Sequence, residues 1–324
     1  MHIKQILTFI SLVFVAYTSS AHAAYPERPL RLVSPNPAGG ANDTIGRIIV
    51  QKFSEILGAQ VVIDNRGGAG GLIGAEIVAR ANPDGYTLLF GSSATHTFAP
   101  LIYKNIPYDP DRDFIPVTML AIAQNLLVAT PTLPVNNVKE LIAHAKAKPR
   151  TLNYSSAGVG SNSHVAVEMF VHLAGIRGIS THVPYKGGAM ATAATAAGEA
   201  HINFGPMPGI IGLVKGGKLK PLAVGGRARS PVLPDVPTAM ESGVPAYESA
   251  GWFGLMTPAK TPRAIVAQLH DAAVKAVKSP DVSQKLVQMG VDPVTNTPDE
   301  FSSYMRQQLA SQKKLVQEIG LKSE

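Results

Sequence analysis

The segment from Leu30 to Phe90 decides the fold class, and it reads LRLVSPNPAGGANDTIGRIIVQKFSEILGAQVVIDNRGGAGGLIGAEIVARANPDGYTLLF. Three short apolar runs are typical of buried strands, and two longer runs between them repeat their apolar residues at helical spacing. The predicted strands are 30–34, 61–63 and 86–90, and the predicted helices are 45–57 and 72–81. This β-α-β-α-β order with short connections predicts an α/β fold with a mostly parallel sheet between helices.

The same alternation begins again after a helix-like run at 138–147. Predicted strands at 152–154, 182–183, 202–204 and 219–224 alternate with predicted helices at 165–174, 189–197 and 210–214. The final part has one strand-like run, 249–256, followed by three helices that begin at Pro262, Pro280 and Pro298. Because one strand cannot form a domain, it is expected to complete the first sheet. The predicted lobes are 25–125 plus 249–324 and the inserted 126–248, with a hinged cleft between them.

The first 24 residues have the pattern of a secretory signal peptide. Lys4 precedes a twelve-residue apolar stretch, and a run of small residues ends at Ala23 and Ala24. The stretch is shorter than the roughly 20 residues that a membrane-spanning helix needs. Export with cleavage near Ala23 or Ala24 is therefore predicted.

Composition restricts the possible chemistry. With no cysteine among 324 residues, the chain has no disulfide, thiol nucleophile or thiolate metal site. A formal charge of +7 favours anionic partners, but scattered basic residues and 6% aromatics argue against nucleic acid. The sequence has neither an HExxH motif nor a GxSxG elbow, so we predict no metal, no cofactor and no catalytic residues.

A glycine-rich turn at 68–74 follows one predicted strand and begins a helix, as a dinucleotide-binding motif would. Its glycines are spaced G-x-G-x-x-x-G, one residue longer than that motif. A turn that packs the following helix is the favoured interpretation, and a nucleotide-dependent α/β enzyme is the alternative.

Four loops lie just beyond predicted strands, where small residues, hydroxyls and free helix-terminal N–H groups suit an anion. They are 34–43, 91–96, 155–164 and 184–189. In the first, Asn42 or Asp43 is expected to cap the helix. Each loop taken alone could equally be an ordinary turn, but together they place donors from both lobes on one cleft.

Seven motifs in order resemble the tripartite tricarboxylate transporter receptor family, also called Bug receptors. They are PNPAGGAND at 35–43, VVIDNRGGAGG at 61–71, PDGYTLL at 83–89, PYDPDRDFIPV at 107–117, GVGSNSH at 158–164, VPYKGG at 183–188 and LPDVPT at 233–238. The resemblance implies a periplasmic solute-binding protein with two α/β lobes of the periplasmic binding protein type. These lobes would close on a small organic acid.

The resemblance also implies the site residues, which would hold a carboxylate through backbone amides and hydroxyls. Carried over by motif, they are Asn36, Ala38, Gly39, Ala41, Asp43, Ser92, Ser93, Gly158, Gly160, Ser161, Ser163, Lys186 and Gly187. Gly205 completes the predicted set and marks a departure, because many relatives carry Asp there. The absence of an aspartate at this position argues against an amino-acid ligand and leaves room for a bulkier or uncharged ligand group.

The expected protein is thus a monomeric periplasmic receptor rather than an enzyme. It would capture a mono- or dicarboxylate by hinge closure and deliver it to the integral membrane subunits of a tripartite carrier. An exported ligand sensor with the same fold is the alternative within this class.

Overall fold

The structure is a computed structural model that describes residues 25–321. The predicted signal peptide lies outside the described residues. Within them, no helix has both the length and the apolar character needed to cross a membrane.

The first half of the fold is built on a β-α-β-α-β segment, as the opening sequence predicts. Parallel strands β1 (Leu30–Ser34), β2 (Val61–Asn65) and β3 (Thr87–Ser92) have β1 in the middle. Helices α1 (Ala41–Leu57) and α2 (Leu72–Ala79) connect them. A π-helical turn at 94–98 and a short helix, α3 (Ala99–Ile102), follow β3.

The second half repeats this arrangement with parallel strands β5 (Leu152–Ser156), β6 (Ser180–Pro184) and β7 (Ile202–Pro206). The helices of this half are α4 (Val138–Ala147), α5 (Asn162–Leu173), α6 (Gly188–Ala197) and α7 (Ile211–Lys215). Strand β8 (Lys220–Val224) follows them.

One strand runs through both halves. Strand β4 (Phe114–Ala129) has 16 residues, and no strand was predicted there. Its first part pairs antiparallel with β9 (Ala250–Pro258), and its last five residues pair antiparallel with β7 and β8. The order along the sheet is β2-β1-β3-β9-β4-β7-β5-β6, so the expectation of a mostly parallel sheet is wrong and the sheet is mixed. Only β4 pairs with strands of both halves, and β9 pairs antiparallel with β3 and with the first part of β4.

The C-terminal segment completes the first half. After β9 come α8 (Arg263–Lys278), α9 (Pro280–Gln288), the short strand β10 (Val291–Pro293) and α10 (Pro298–Glu318). Strand β9 pairs with β3, and α8 packs its buried face against the same core as α1. This return of the chain to the first sheet confirms the expectation for 249–256.

Separate hydrophobic cores support the two halves. One contains Ile45, Phe53, Leu88 and Leu269, and another contains Leu152, Phe170, Phe204 and Tyr247. The two crossings lie side by side, because the Asn125 amide N–H donates to the Ser249 carbonyl over 3.3 Å. The lobe boundaries at 125 and 249 stay a prediction, and this pairing is consistent with them.

Candidate functional site

A small cavity lies between the two halves, where strands β1, β3, β5 and β7 end. Its volume is about 60 Å³, and a water needs about 10–15 Å³ of such space, so several waters or a small organic ligand fit. Its lining residues are Asn36, Gly40, Ala41, Asn42, Ser92, Ser93, Ala94, Ala157, Ser161, Asn162, Ser163, Gly188, Thr192, Asn203, Gly205, Pro206, Gly209, Ile210 and Phe253.

Three helix N-termini converge on this cavity. Helix α1 begins there with Ala41 and Asn42, α5 begins with Asn162 and Ser163, and α6 begins with Gly188. The first N–H groups of a helix have no partner within the helix and carry the positive end of its dipole. The first helix comes from one half and the other two come from the opposite half.

No charged side chain is among the residues of the described chain that line this cavity. Among the lining residues, Ser92, Ser163 and Thr192 carry hydroxyl groups, and Ile210 and Phe253 contribute apolar surface. A cavity with positive dipole ends and no fixed negative charge stabilises an anion.

The loop that precedes α1 is held by Asp43. Its Oδ2 accepts hydrogen bonds from the Gly39 N–H and from Arg47 Nε, each 2.9 Å long. Burial alone would raise the pKa of the Asp43 carboxyl, but these hydrogen bonds outweigh it and hold the pKa below its usual value. Asp43 therefore shapes the loop and does not line the cavity.

The expected cap of this helix is wrong, since the N-cap residue is Gly40 and it makes no side-chain cap hydrogen bond. Both Asn42 and Asp43 already lie in the first turn. The Asn42 side chain accepts from Asn36 Nδ2 over 2.9 Å and donates to the Phe90 carbonyl over 3.1 Å. The N–H groups of this turn are left free of a side-chain cap beside the cavity.

The loop that precedes α5 places two serines differently. Ser161 is the N-cap, with its Oγ accepting from the His164 N–H over 3.2 Å and donating to the Gly158 carbonyl over 2.6 Å. Its hydroxyl proton is thus used within the loop. Ser163 Oγ accepts from the Ala157 N–H over 2.9 Å and lies 3.3 Å from Ser161 Oγ, to which it can donate its own proton.

The segment after β3 is not the loop that was expected. Ser92 is the last residue of the strand, and Ser93 directly precedes the π-helical turn. Both side chains reach the cavity, where Ser93 Oγ accepts from Asn162 Nδ2 of the opposite half over 3.2 Å.

A second cavity of about 240 Å³ lies next to the first and shares Asn36 and Ala157 with it. Here the structure places Gly158, Lys186 and Gly187 of the predicted set. The Lys186 side chain is exposed, and it is the one charged residue among the described lining residues of the two cavities. Of the other predicted residues, Ala38 and Gly39 are exposed and line neither cavity.

Several of these glycines let the two halves approach closely. A β-carbon on Gly160 would lie 2.5 Å from the Tyr103 ring, and one on Gly187 would lie 2.7 Å from the Pro37 ring. The Tyr103 hydroxyl donates across the cleft to the Val159 carbonyl over 2.7 Å. The halves are therefore in direct contact in this conformation.

The seven predicted residues that line the first cavity are Asn36, Ala41, Ser92, Ser93, Ser161, Ser163 and Gly205. The predicted set omits Asn203, Thr192 and Phe253, which lie within β7, α6 and β9, and Ile210, which directly precedes α7. None of them lies in the four loops. The alternation of side chains along β7 could have identified Asn203, because residues two apart on a strand, such as Asn203 and Gly205, lie on the same face of the sheet.

Comparison with known proteins identifies the family that the sequence motifs resemble. A family model described as tripartite tricarboxylate transporter family receptor matches residues 45–321. Protein BugT of Bordetella pertussis is 32% identical over 315 residues, which cover 97% of this chain and 96% of that protein.

Two solved structures are also similar over most of the chain. One is Rpa4515 of R. palustris with adipate, 36% identical with a TM-score of 0.89, covering 92% of this chain and all of that one. The other is MatC from Rhodopseudomonas palustris with bound malate, 31% identical with a TM-score of 0.86, covering 90% of this chain and all of that one. The expected two-lobe binding-protein fold is confirmed, and the chain belongs to the tripartite tricarboxylate transporter receptor family.

Proposed function

We propose that this protein is an extracytoplasmic receptor that binds a small organic carboxylate in the 60 Å³ cavity between its two halves. The observation that carries this proposal is the meeting of three helix N-termini at a cavity without charged lining residues. A carboxylate there receives several N–H donors and the positive ends of three dipoles. The ligands named for the two similar structures, adipate and malate, are both carboxylates.

Binding couples to closure because the donors come from both halves. The Ala41 end of α1 belongs to one half, and the Ser163 hydroxyl and the start of α6 belong to the other. A ligand that contacts both halves stabilises the closed arrangement by its differential affinity for it. A micromolar dissociation constant needs about −8 kcal/mol, which several charge-assisted hydrogen bonds of about 1.5–3 kcal/mol each can supply after ordering costs.

The receptor acts as a monomer in this proposal and catalyses no reaction. It delivers its ligand to the integral membrane subunits of a tripartite carrier, and membership of the transporter receptor family supports this role. Hinge motion occurs at the crossings near Asn125 and Ser249, with residues 25–125 and 249–324 forming one lobe.

A variant that introduces a negative charge tests the position of the carboxylate. Ser161→Asp keeps a good N-cap residue on α5, so the fold should survive, but it adds a negative charge at the cavity wall. We expect at least a hundredfold loss of affinity for the carboxylate that the wild type binds. The ligand is found by thermal-shift screening of organic acids on refolded protein, where saturation at 100 times the dissociation constant adds about 2.7 kcal/mol.

Asn137→Asp is the matched control. Asn137 caps α4 in the same half, and its Oδ1 accepts from the Glu140 N–H over 2.9 Å on the exposed surface. It changes the net charge by the same amount as Ser161→Asp, so it should leave affinity unchanged. A folded Ser161→Asp protein with wild-type affinity would remove the proposed site.

A further inference from the structure

The side chain of Asn203 turns a hydrogen-bond acceptor toward the ligand cavity. Asn203 is only 2% exposed, and its Nδ2 donates to the Ser155 carbonyl over 3.1 Å and to Ser155 Oγ over 2.8 Å. The carbonyl can only accept, so it fixes which end of the amide is nitrogen. Its Oδ1 therefore points the other way and accepts no hydrogen bond from the described part of the chain.

Gly205 keeps the space beside this oxygen open. A β-carbon built at Gly205 would lie 3.0 Å from Asn203 Oδ1, 3.3 Å from Ser163 Cβ and 3.5 Å from Ile210 Cδ1. All three neighbours line the cavity, so the missing side chain leaves room for a ligand group there. The backbone at Gly205 is not in the left-handed region, so alanine could adopt the same conformation.

A second acceptor supports the same conclusion. Asn162, at the start of α5, also lines the cavity, and its Oδ1 is buried without a partner in the described chain. Buried acceptors without a donor are costly, so a ligand that supplies one gains binding energy that an unsubstituted acid cannot.

We propose that this receptor selects hydroxycarboxylates, with the carboxylate at the helix N-termini and a chain hydroxyl donating to Asn203 Oδ1. This inference rests on the proposed carboxylate-binding function. An ammonium group could also donate to this oxygen, but no lining residue offers it a countercharge. Three positive dipole ends would repel it, whereas a hydroxyl is neutral.

Matched acids test the wild-type protein directly. Titration calorimetry would compare lactate with propionate and alanine, and malate with succinate and aspartate. We expect the hydroxy acid of the preferred chain length to bind at least tenfold more tightly than both of its analogues, because a site built for a hydroxyl leaves its acceptor unpaired otherwise. Equal affinities, or tighter binding of the amino acid, would overturn the proposal.

Gly205→Ala tests the mechanism. Its methyl group would cover Asn203 Oδ1, so the ratio of the affinities for the hydroxy acid and for the acid without the hydroxyl should fall below threefold. Gly212→Ala is the control, because a β-carbon there meets nothing within 4 Å and Gly212 lines neither cavity. It should keep the hydroxyl preference.

The outcomes separate this inference from the proposed function. If acids bind and Gly205→Ala retains the full hydroxyl preference, the role proposed for Asn203 Oδ1 is wrong, but the proposed carboxylate binding stands. If no acid of any class binds the refolded wild type, the proposed function fails and the hydroxyl preference with it. The wild-type comparison decides the preference even if Gly205→Ala does not fold.

Discussion

His164 and His182 stack beneath the loop that precedes α5, with their ring centroids 4.4 Å apart. His164 Nδ1 accepts from the Gly160 N–H over 3.3 Å, and His182 Nε2 contacts Ser156 Oγ at 2.6 Å. Burial lowers the pKa of His164 to about 3, with a smaller contribution from His182, and burial lowers the pKa of His182 to about 4. Both rings are therefore neutral in the folded protein at pH 7.

This pair predicts a pH dependence of stability. Below pH 6.5, His164 binds a proton in the unfolded chain but stays neutral in the folded chain. The free energy of unfolding therefore has its full value above that pH and falls as the pH decreases toward 4. His164→Asn removes this uptake but keeps an acceptor for the Gly160 N–H. We expect the loss of unfolding free energy between pH 7 and pH 5 to be about 2 kcal/mol smaller than in the wild type.

Denaturant titrations at pH 7, 6 and 5 measure this difference. His172→Asn, in the exposed last turn of the same helix, is the control and should keep the wild-type dependence. Equal slopes for His164→Asn and the wild type would show that His164 titrates normally in the folded state.

At the scale of elements, α2 depends on a close approach to the loop before α1. A β-carbon on Gly74 would lie 2.6 Å from Pro35 Cα and 2.7 Å from the Arg66 carbonyl oxygen, and neither backbone atom can move freely. Gly74→Ala should therefore destabilise the protein by about 1–3 kcal/mol, the usual range for overpacking.

A glycine in another helix gives the opposite expectation. Nothing lies within 4 Å of a β-carbon at Gly212 in α7, so Gly212→Ala should be neutral or stabilising by up to about 1 kcal/mol. Chemical denaturation of both variants measures the contrast. If Gly74→Ala left the free energy of unfolding unchanged, tight packing of α2 would be contradicted. Binding of a nicotinamide cofactor at the glycine-rich turn 68–74 would support the dinucleotide-binding alternative.

Element order could be predicted from sequence because each apolar run also has the right length and turn residues. The run at 30–34 is confirmed to the residue, whereas α1 begins at Ala41 and not at Ile45. The early start was missed because GGAND is polar and small, and helical periodicity is visible only from the first apolar residue. Strand β4 was missed because Pro116 and Asn125 interrupt an apolar run that tertiary pairing holds extended.

At the scale of the whole molecule, strand β4 pairs in both halves, and the halves meet at two adjacent cavities. The sequence indicated that donors from both halves would meet, and seven of its fourteen predicted site residues line the first cavity. It could not separate residues that line the cavity from those that bring the halves together. Gly160 and Gly187, for example, contact Tyr103 and Pro37 of the opposite half.

The assembly of the cavity from two halves also explains why the predicted set omits some lining residues. Asn203 and Phe253 belong to strands whose ends reach the cavity only when both halves are assembled. Their role depends on distances between segments far apart in the chain, which spacing along the sequence does not contain.

A crystal structure of the refolded mature protein with its tightest-binding acid would test the central claim most directly. We predict carboxylate oxygens about 2.7–3.1 Å from N–H groups at the starts of α1 and α5, with no lysine or arginine side chain bound to them. A carboxylate paired with Lys186 in the second cavity would contradict the claim that helix N-termini in an uncharged cavity hold the ligand.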